Sequence, residues 1–490
     1  MLWIALELPA LPLQVAERAG AGVQPLVIAE GPAQRPLVAC ANAAAREAGI
    51  RAGQAVAAAK ALAGALRVID RDPAAEREAL QRVAAWAAQF TPMVSIEAQG
   101  VLLEVESSLR LLHGHAKLTA AISRGIREVG FQATFGVAPT PLAARLFARA
   151  ESQGRAVRSC LATADLAERV ADLPLFLLEW PEKTLARLTD LGVLRLRDIL
   201  ALPNEGIAKR FGPEIVLSLE RLMGRVADPR EPYAAPPRFR SRLELPAEAE
   251  GVEALLFPLK RLLAELEGYA CGRGAGVQRL VLRLGHGRKC STRLPLEFAS
   301  PEREADFILA IAREKLGRLT LPAATHALEL RADALLPYVP RETAWLPGPR
   351  EQAVEGGRLV ERLSARLGAD RVFGIALAND HRPEKDWKEL GPGLRRGDRR
   401  HGEGRDLISR GRRPTWLLPR PHRLVTESGA PVYQGALALT AGPERIEAGW
   451  WDGEEVRRDY YVATNPRGES FWIYREHRDL SAWYLHGVFA

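Results

Sequence analysis

A chain of 490 residues with 47% hydrophobic and 26% charged content is long enough for three or four domains and too apolar to be disordered. No run approaches the ~18 apolar residues of a membrane span, and the N-terminus lacks the basic region, apolar core and cleavage site of a secretory signal; cytoplasmic residence without a membrane partner is expected. A net charge of +8 favours a polyanionic partner, and Cys40, Cys160, Cys271 and Cys290 are too scattered for a zinc spacing or a disulfide framework, so no metal is assigned to them.

MLWIALELP opens the chain as a short apolar strand carrying one acid, Glu7. PLVIAE reads as a strand, and RPLVACANAAAREAGIRAG as strand, Ala-rich helix and turn. Residues 74 to 90 form an amphipathic helix with Leu80, Val83, Ala84 and Trp86 on its apolar positions. From Thr91 to Gly114, Val101, Leu102, Leu103 and Val105 make a strand buried on both faces, followed by a turn and the start of a helix. LTAAISRGIREVG is a second helix and FQATFGVAPTPLAARLFARA a strand, turn and helix. Strands alternating with helices to about residue 160 imply an α/β body.

LLEVESSLRLLHG resembles the palm signature of Y-family translesion DNA polymerases, in which an Asp-Glu pair precedes a Phe-Leu-Asp-Val segment and a Gly-Ser turn. Setting Glu104 and Ser108 on the family's Asp and Ser puts Gln99 and Gly100 on the metal-binding acids, and the first strand puts Ala5 on the first metal-binding Asp. The resemblance therefore implies a site emptied of its ligands. Ala41, Asn42, Ala45, Arg46, Gly49 and Ile50 match the fingers segment; the triphosphate-contacting Tyr is replaced by Ala43, which leaves Arg46 as a vestigial phosphate ligand. The family's Asn-Lys pair is Thr140-Pro141 here.

From Asp172 the chain is helix and turn, with Leu188, Leu191, Gly192, Val193, Asp198, Ile199, Leu202, Arg210, Phe211 and Gly212 in the pattern of a helix-hairpin-helix thumb. A Gly-bearing turn at a helix start is expected to expose amides to DNA phosphates, with Gly192, Arg210 and Gly212 at the contact. Residues 235–340 start as a Pro-rich linker and continue as helix, strand, strand, helix, strand, similar to a little-finger domain, with Arg279, Arg283, Arg288 and Lys289 as candidate phosphate contacts. A helix follows at 356–368. Between His381 and Arg423, thirteen Lys plus Arg stand against six Asp plus Glu, with Arg395, Arg396, Arg399 and Arg400 at the centre of a Gly-rich basic linker.

Five of the ten tryptophans, Trp416, Trp450, Trp451, Trp472 and Trp483, fall after residue 415. RRDYYVAT and SFWIYRE, joined by Asn-Pro-Arg-Gly, predict a β-hairpin in a small β-rich module. GPERIEAGWWDG, RDYY and WYLHGVFA resemble the C-termini of ImuB-type proteins, bacterial polymerase-like mutagenesis proteins of the Y family.

The resemblance implies an α/β multidomain fold: a palm over 1–165 with fingers at about 20–75, a helix-hairpin-helix thumb at 166–232, a little finger at 235–340, a helix and basic linker at 341–425, and a β-rich partner module at 426–490. It implies a non-catalytic, nucleoid-associated adaptor in translesion synthesis and damage-induced mutagenesis. Its partners would be DNA, a RecA-like small protein, a replicative-type error-prone polymerase and the sliding clamp. Gln352 stands where such proteins carry a clamp-binding peptide, but Val354, Glu355 and Gly356 supply no apolar anchor, so clamp binding is expected to be weak. Two alternatives stay open. An active polymerase would need Mg²⁺ held by Glu7, Glu97 and Glu104, with Ser95-Ile96-Glu97 read as the family's Ser-Ile-Asp; a repair factor would use the helix-hairpin-helix unit alone. No other cofactor is implied.

Overall fold

In the computed structural model a buried strand near the N-terminus, β1 (Trp3–Glu7), organises the first of two compact units, Met1–Arg362 and Leu363–Ala490. All residues are described except 19–23, 156–158, 288–289, 341–348, 379, 391–411, 478 and 490, and the side chains of 349–354 and 390. Arg288, Lys289, Arg395, Arg396, Arg399 and Arg400 thus lie outside the described residues.

After β1 and α1 (Leu11–Glu17) comes an insert of β2 (Leu26–Glu30), β3 (Leu37–Ala41), α2 (Ala43–Glu47), α3 (Val56–Leu62) and β4 (Arg67–Asp70), whose own sheet has the order β3-β2-β4. α4 (Pro73–Ala87), β5 (Val94–Glu97), β6 (Gly100–Glu104), α5 (His115–Glu128), β7 (Thr134–Ala138) and α6 (Pro141–Ser152) complete a four-stranded sheet, β5-β6-β1-β7. Asp72 starts α4 by accepting the Ala74 and Ala75 amides at 2.9 and 3.0 Å, with Pro73 in the first turn, where a missing N–H costs nothing. β1 is buried along its whole length because both faces of the sheet are covered. Ile4 and Leu6 pack with α4 and α5, while Trp3 and Ala5 pack with α6.

The single strand expected between Thr91 and Gly114 is a hairpin, β5 and β6, closed at Ala98-Gln99. Its first arm is half-buried, with Val94 and Ile96 alternating with Ser95 and Glu97, a period-2 signal.

Five helices follow: α7 (Leu166–Val170), α8 (Glu182–Asp190), α9 (Leu196–Leu200), α10 (Asn204–Phe211) and α11 (Pro213–Leu222), which share a core with α6. Next come β8 (Phe239–Ala249), α12 (Val252–Cys271), β9 (Ala275–His286), β10 (Ser291–Glu302), α13 (Ala305–Gly317) and β11 (Thr325–Ala332), an antiparallel sheet of order β10-β9-β11-β8. β8 falls where a Pro-rich linker was expected; there Phe239, Ser241 and Leu243 are buried while Arg240, Arg242 and Glu244 are exposed. The helix expected at 356–368 begins earlier, as α14 (Pro349–Leu367), so Gln352 lies inside a helix rather than ahead of one.

In the second unit, strands 416–423, 479–488, 470–476, 456–464 and 438–448 form one sheet in that spatial order, starting ahead of the expected boundary at 426. The hairpin expected around Asn-Pro-Arg-Gly is present, paired from Arg458↔Glu476 to Thr464↔Ser470. Trp472 and Trp483 are buried, while Trp416, Trp450 and Trp451 are exposed. Trp472 stacks on Tyr460 at 4.0 Å, and the Tyr460 hydroxyl lies 2.7 Å from His486 Nδ1.

Burial pushes the His486 pKa down to about 4, against about 6.5 for an unperturbed imidazole. With the folded value the lower one, the unfolded chain binds the extra proton between those pH values, so stability is lost as pH falls from about 6.5 towards 4. Unfolding of the second unit in the full chain, followed by tryptophan fluorescence, is expected to move to lower temperature across that window. His486→Phe is expected to flatten the dependence.

Candidate functional site

One row across the four-stranded sheet runs Glu97, Gly100, Glu7, Thr134, set by the pairings Glu97↔Gly100, Glu7↔Gly100 and Glu7↔Thr134. Directly opposed residues share a face, so Glu7 and Glu97 flank a position that has no side chain. No side chain fits at Gly100: a Cβ there would sit 2.0 Å from the Leu6 carbonyl oxygen. The expectation that Gly100 occupies a metal-ligand position is therefore corrected, since no acid could stand there without displacing β1. Gln99 is exposed in the hairpin turn, where its carbonyl accepts the Leu8 amide at 2.8 Å. Ala5 faces α6, packed with Ala143, Ala144 and Phe147.

The acids that the sheet does assemble are already paired. α6 approaches closely because Gly136 carries no Cβ, which would lie 1.9 Å from the Ala144 carbonyl oxygen. At that spacing Arg145 and Arg149, one turn apart on α6, reach the row. Arg145 Nη1 lies 2.7 Å from Glu97 Oε2 and its Nε 3.6 Å from Glu7 Oε1; Arg149 Nε lies 3.1 Å from the same Glu7 oxygen. Glu179 joins from the far side, 2.5 Å from Arg149 Nη2, and Arg230 Nη1 lies 3.2 Å from Glu97 Oε1 with its Nη2 2.5 Å from Asp228. Burial raises the Glu7 pKa, and Arg149 and Arg145 offset only part of that. The three guanidinium groups occupy the carboxylate oxygens that a dication would need. Among the described residues no group of three His, Cys, Asp or Glu has a geometry that could hold a metal ion. Glu104, the third acid considered for an active polymerase, stands opposite Trp3, roughly 13 Å along the strand, and accepts the Glu106 amide at 3.2 Å.

The other sequence-predicted residues are dispersed. Asn42 is a structural cap: its Oδ1 accepts the Ala45 and Leu26 amides and its Nδ2 donates to Glu17 and the Gln24 carbonyl. Arg46 is exposed on α2. The turn at Gly192 does not present free amides. Gly192 donates to Thr189 and Val193 to Leu188, while Leu194 and Arg195 donate to the Asp198 carboxylate at 3.1 and 2.8 Å. The expected phosphate cradle is thus corrected: the helix ends and Asp198 have taken its donors. Arg210 is exposed on α10, and Gly212 joins α10 to α11.

A family model described as the impB/mucB/samB family matches residues 13–149. The chain is 28% identical to "Protein ImuB" of Caulobacter vibrioides (strain NA1000 / CB15N) over 90% of its own length and all of that protein. The chain is similar to an ImuB protein along nearly its whole length. A "DNA polymerase IV" of Shewanella sp. (strain ANA-3) is 29% identical over 41% of this chain and 56% of that protein. Among solved structures, a "Y-family DNA polymerase chimera Dbh-Dpo4(243-245)-Dbh" aligns at TM-score 0.42 with 18% identity, covering 69% of this chain and 99% of that one. DinB from Sulfolobus solfataricus aligns at 0.39, also with 18% identity, over 68% of this chain and 98% of its own.

The chain carries a second charged feature, on the open face of the sheet β10-β9-β11-β8. Its central row runs Arg293, Arg283, Glu329, Arg242, and the next places Arg331 opposite Arg240. Arg279 stands opposite Glu297. Glu329 is buried, which alone would raise its pKa, but hydrogen bonds from Arg331 and Arg240 outweigh that and hold it below the usual carboxylate range. Arg279 and Arg283 were anticipated from sequence; Arg240, Arg242, Arg293 and Arg331 were not. The signal for the first two was the alternation in Phe-Arg-Ser-Arg-Leu, masked by neighbouring prolines.

Removing Arg145 would leave Glu97 and the buried Glu7 undercompensated. Arg145→Ala is therefore expected to cost about 2–4 kcal/mol in denaturant unfolding, while exposed Arg46→Ala stays within about 0.5 kcal/mol. Wild-type unfolding is expected to be the same in millimolar Mg²⁺ and in EDTA.

Proposed function

We propose that the protein is a non-catalytic, polymerase-shaped DNA-binding adaptor acting in translesion synthesis and damage-induced mutagenesis. The observation that carries this reading is the pairing of Glu7 and Glu97 with Arg145, Arg149 and Arg230. Nucleotidyl transfer needs two divalent ions that neutralise the triphosphate and activate the primer hydroxyl, held by converging carboxylates. In this chain the equivalent negative charge is spent on guanidinium groups, and Ala43 and Pro141 offer no triphosphate contact. Mg²⁺ would enter only under the active-polymerase alternative, whose best support is that Glu7 and Glu97 share one row.

DNA is the partner favoured by the arginine face. Six arginines, Arg240, Arg242, Arg279, Arg283, Arg293 and Arg331, stand with three glutamates, Glu244, Glu297 and Glu329, on one side of a sheet. Spaced cations of this kind contact phosphates without reading bases. Arg210 on α10 and the basic segment 381–423 would add to the same polyanion affinity. A RecA-like protein, an error-prone replicative-type polymerase and the sliding clamp are proposed as protein partners. Contact with the clamp through Gln352 is expected to be weak, because that position is helical and lacks apolar anchors.

A primer-extension assay with Mg²⁺ is the deciding experiment, with no extension expected. Extension that Glu7→Ala or Glu97→Ala stops would replace the adaptor reading with the polymerase one. Duplex affinity should fall steeply with salt, with a slope reporting the number of phosphates neutralised. Arg242→Glu with Arg283→Glu is expected to weaken binding at least ~tenfold at low salt and to flatten that slope. Affinity indifferent to salt, or untouched by the double reversal, would remove this face from the account.

A further inference from the structure

The arginine face belongs to a domain whose attachment to the first α/β body has an unusual physical make-up. α12 lies across α4 and α5, with the Trp86 indole of α4 buried between them. The ring touches glycine on both sides. A Cβ on Gly268 of α12 would lie 2.3 Å from Trp86 Cδ1, and one on Gly125 of α5 would lie 2.6 Å from Cζ2. A turn beyond Gly268, a Cβ on Gly272 would lie 2.9 Å from the Ala88 carbonyl carbon. The contact therefore works only with bare backbone on α12, and any sliding or rotation drives a neighbouring side chain into the indole.

Beside this notch sits a buried ion pair. Arg18, at the end of α1, and Glu265 of α12 are 2% and 1% exposed and form a salt bridge. Arg18 Nε also donates to the Val129 carbonyl at 3.0 Å, and its guanidinium lies 4.9 Å from the Phe131 ring centroid. The second Glu265 oxygen accepts the Ser241 hydroxyl of β8 at 2.6 Å. Arg82 of α4 approaches the same carboxylate at 4.0 Å. Buried pairs of this kind add little net stability but penalise any arrangement that separates the partners without hydrating them. The connection between the bodies is also strapped down. The Tyr233 amide donates to the Val94 carbonyl of β5 at 2.7 Å, the Tyr269 hydroxyl to the Pro236 carbonyl at 2.5 Å, and Arg273 to the Ala235 and Pro236 carbonyls at 2.8 and 2.9 Å.

We propose that the β8–β11 domain is fixed on α4 and α5 by the Gly125–Trp86–Gly268 notch and the Arg18–Glu265–Ser241 latch, so that its arginine face is held at one set angle and does not swing when polyanion arrives. Bulk burial of Trp86 supplies the adhesion; the glycines and the latch supply the single orientation. The proposal stands independently of whether the chain polymerises DNA or only binds it.

Hydrogen exchange on the full chain, alone and with a duplex oligonucleotide, tests it. Segments 80–88 and 255–270 are expected to exchange in the same slow class as β1, with no change when duplex is added. Fast exchange in either segment, or protection gained there only with duplex, would overturn the proposal. Gly268→Leu, which forces a side chain into Trp86, is expected to speed tryptic cleavage within residues 224–238 by ~tenfold or more through opening of the domain contact. Glu253→Ala, at the start of α12, removes an exposed pair with Arg313 of α13 and should leave cleavage unchanged. Cleavage of a folded Gly268→Leu chain at the wild-type rate would also overturn it, and if that variant does not fold the wild-type exchange pattern decides.

Discussion

A carboxylate on a fully buried strand must have a cation beside it, and much of the first unit is arranged to meet that demand for Glu7. The group sits on β1 at 5% exposure, where an unpaired charge would cost several kcal/mol. The compensation is built from distant parts of the chain. Gly136 lets α6 close on β7, α6 then carries Arg145 and Arg149 to the row, and Glu179 and Arg230 extend the network to the turn between α7 and α8 and to the segment after α11. The network joins the sheet to the helices α7–α11 in the way a bound ion would, but with charges that cannot diffuse away.

The same residue type plays two physically different parts. Arg145, Arg149 and Arg230 are largely buried, face at least as many carboxylates as there are guanidinium groups, and have little left to offer a ligand. On the open sheet face, arginines outnumber glutamates; Arg240 and Arg279 are more than half exposed and Arg242 nearly half. Long-range attraction to a polyanion depends on that uncompensated, hydrated charge, not on the total count of basic residues. A net charge of +8 spread over 490 residues says little until the places where cations stand unpaired and exposed are known.

Much of the architecture was legible from local pattern. The apolar runs of β1 and β6, the amphipathic α4 and the Asn-Pro-Arg-Gly hairpin all carry their period in the sequence. β5 and β8 were not read as strands because each is short of apolar residues on one face and flanked by prolines, so alternation was hidden by composition. The candidate site was legible only in part. Glu7 and Glu97 stand out as acids in strands, but the partners of Glu7 are more than a hundred residues away on α6, and Glu97 shares Arg145 with it and adds Arg230 from beyond α11. Arg145 and Arg149 look like solvated positions of an amphipathic helix until the close approach at Gly136 is known. The Gly192 turn shows the opposite failure. Its sequence is that of a phosphate-binding turn, yet Asp198, placed to cap α9, takes the amides that a phosphate would need.

These contacts also determine whether acids could be accommodated at positions 5, 99 and 100 by point changes. Asp at position 5 would place a carboxylate at a site 1% exposed among Ala143, Ala144 and Phe147; it would be protonated or would disrupt the packing of α6. Glu at position 100 has no space, because the Leu6 carbonyl occupies it. Asp at position 99 would be tolerated but sits exposed in the turn, away from the other two. The triple replacement is therefore expected to lower stability by several kcal/mol without producing a Mg²⁺ site, and calorimetric titration with Mg²⁺ should detect no binding. A micromolar Mg²⁺ site in that variant would mean that β1 and β6 can shift to admit a side chain at position 100, and that the arginine network is a late occupant of an intact metal centre instead of the interaction around which the sheet and α6 are packed.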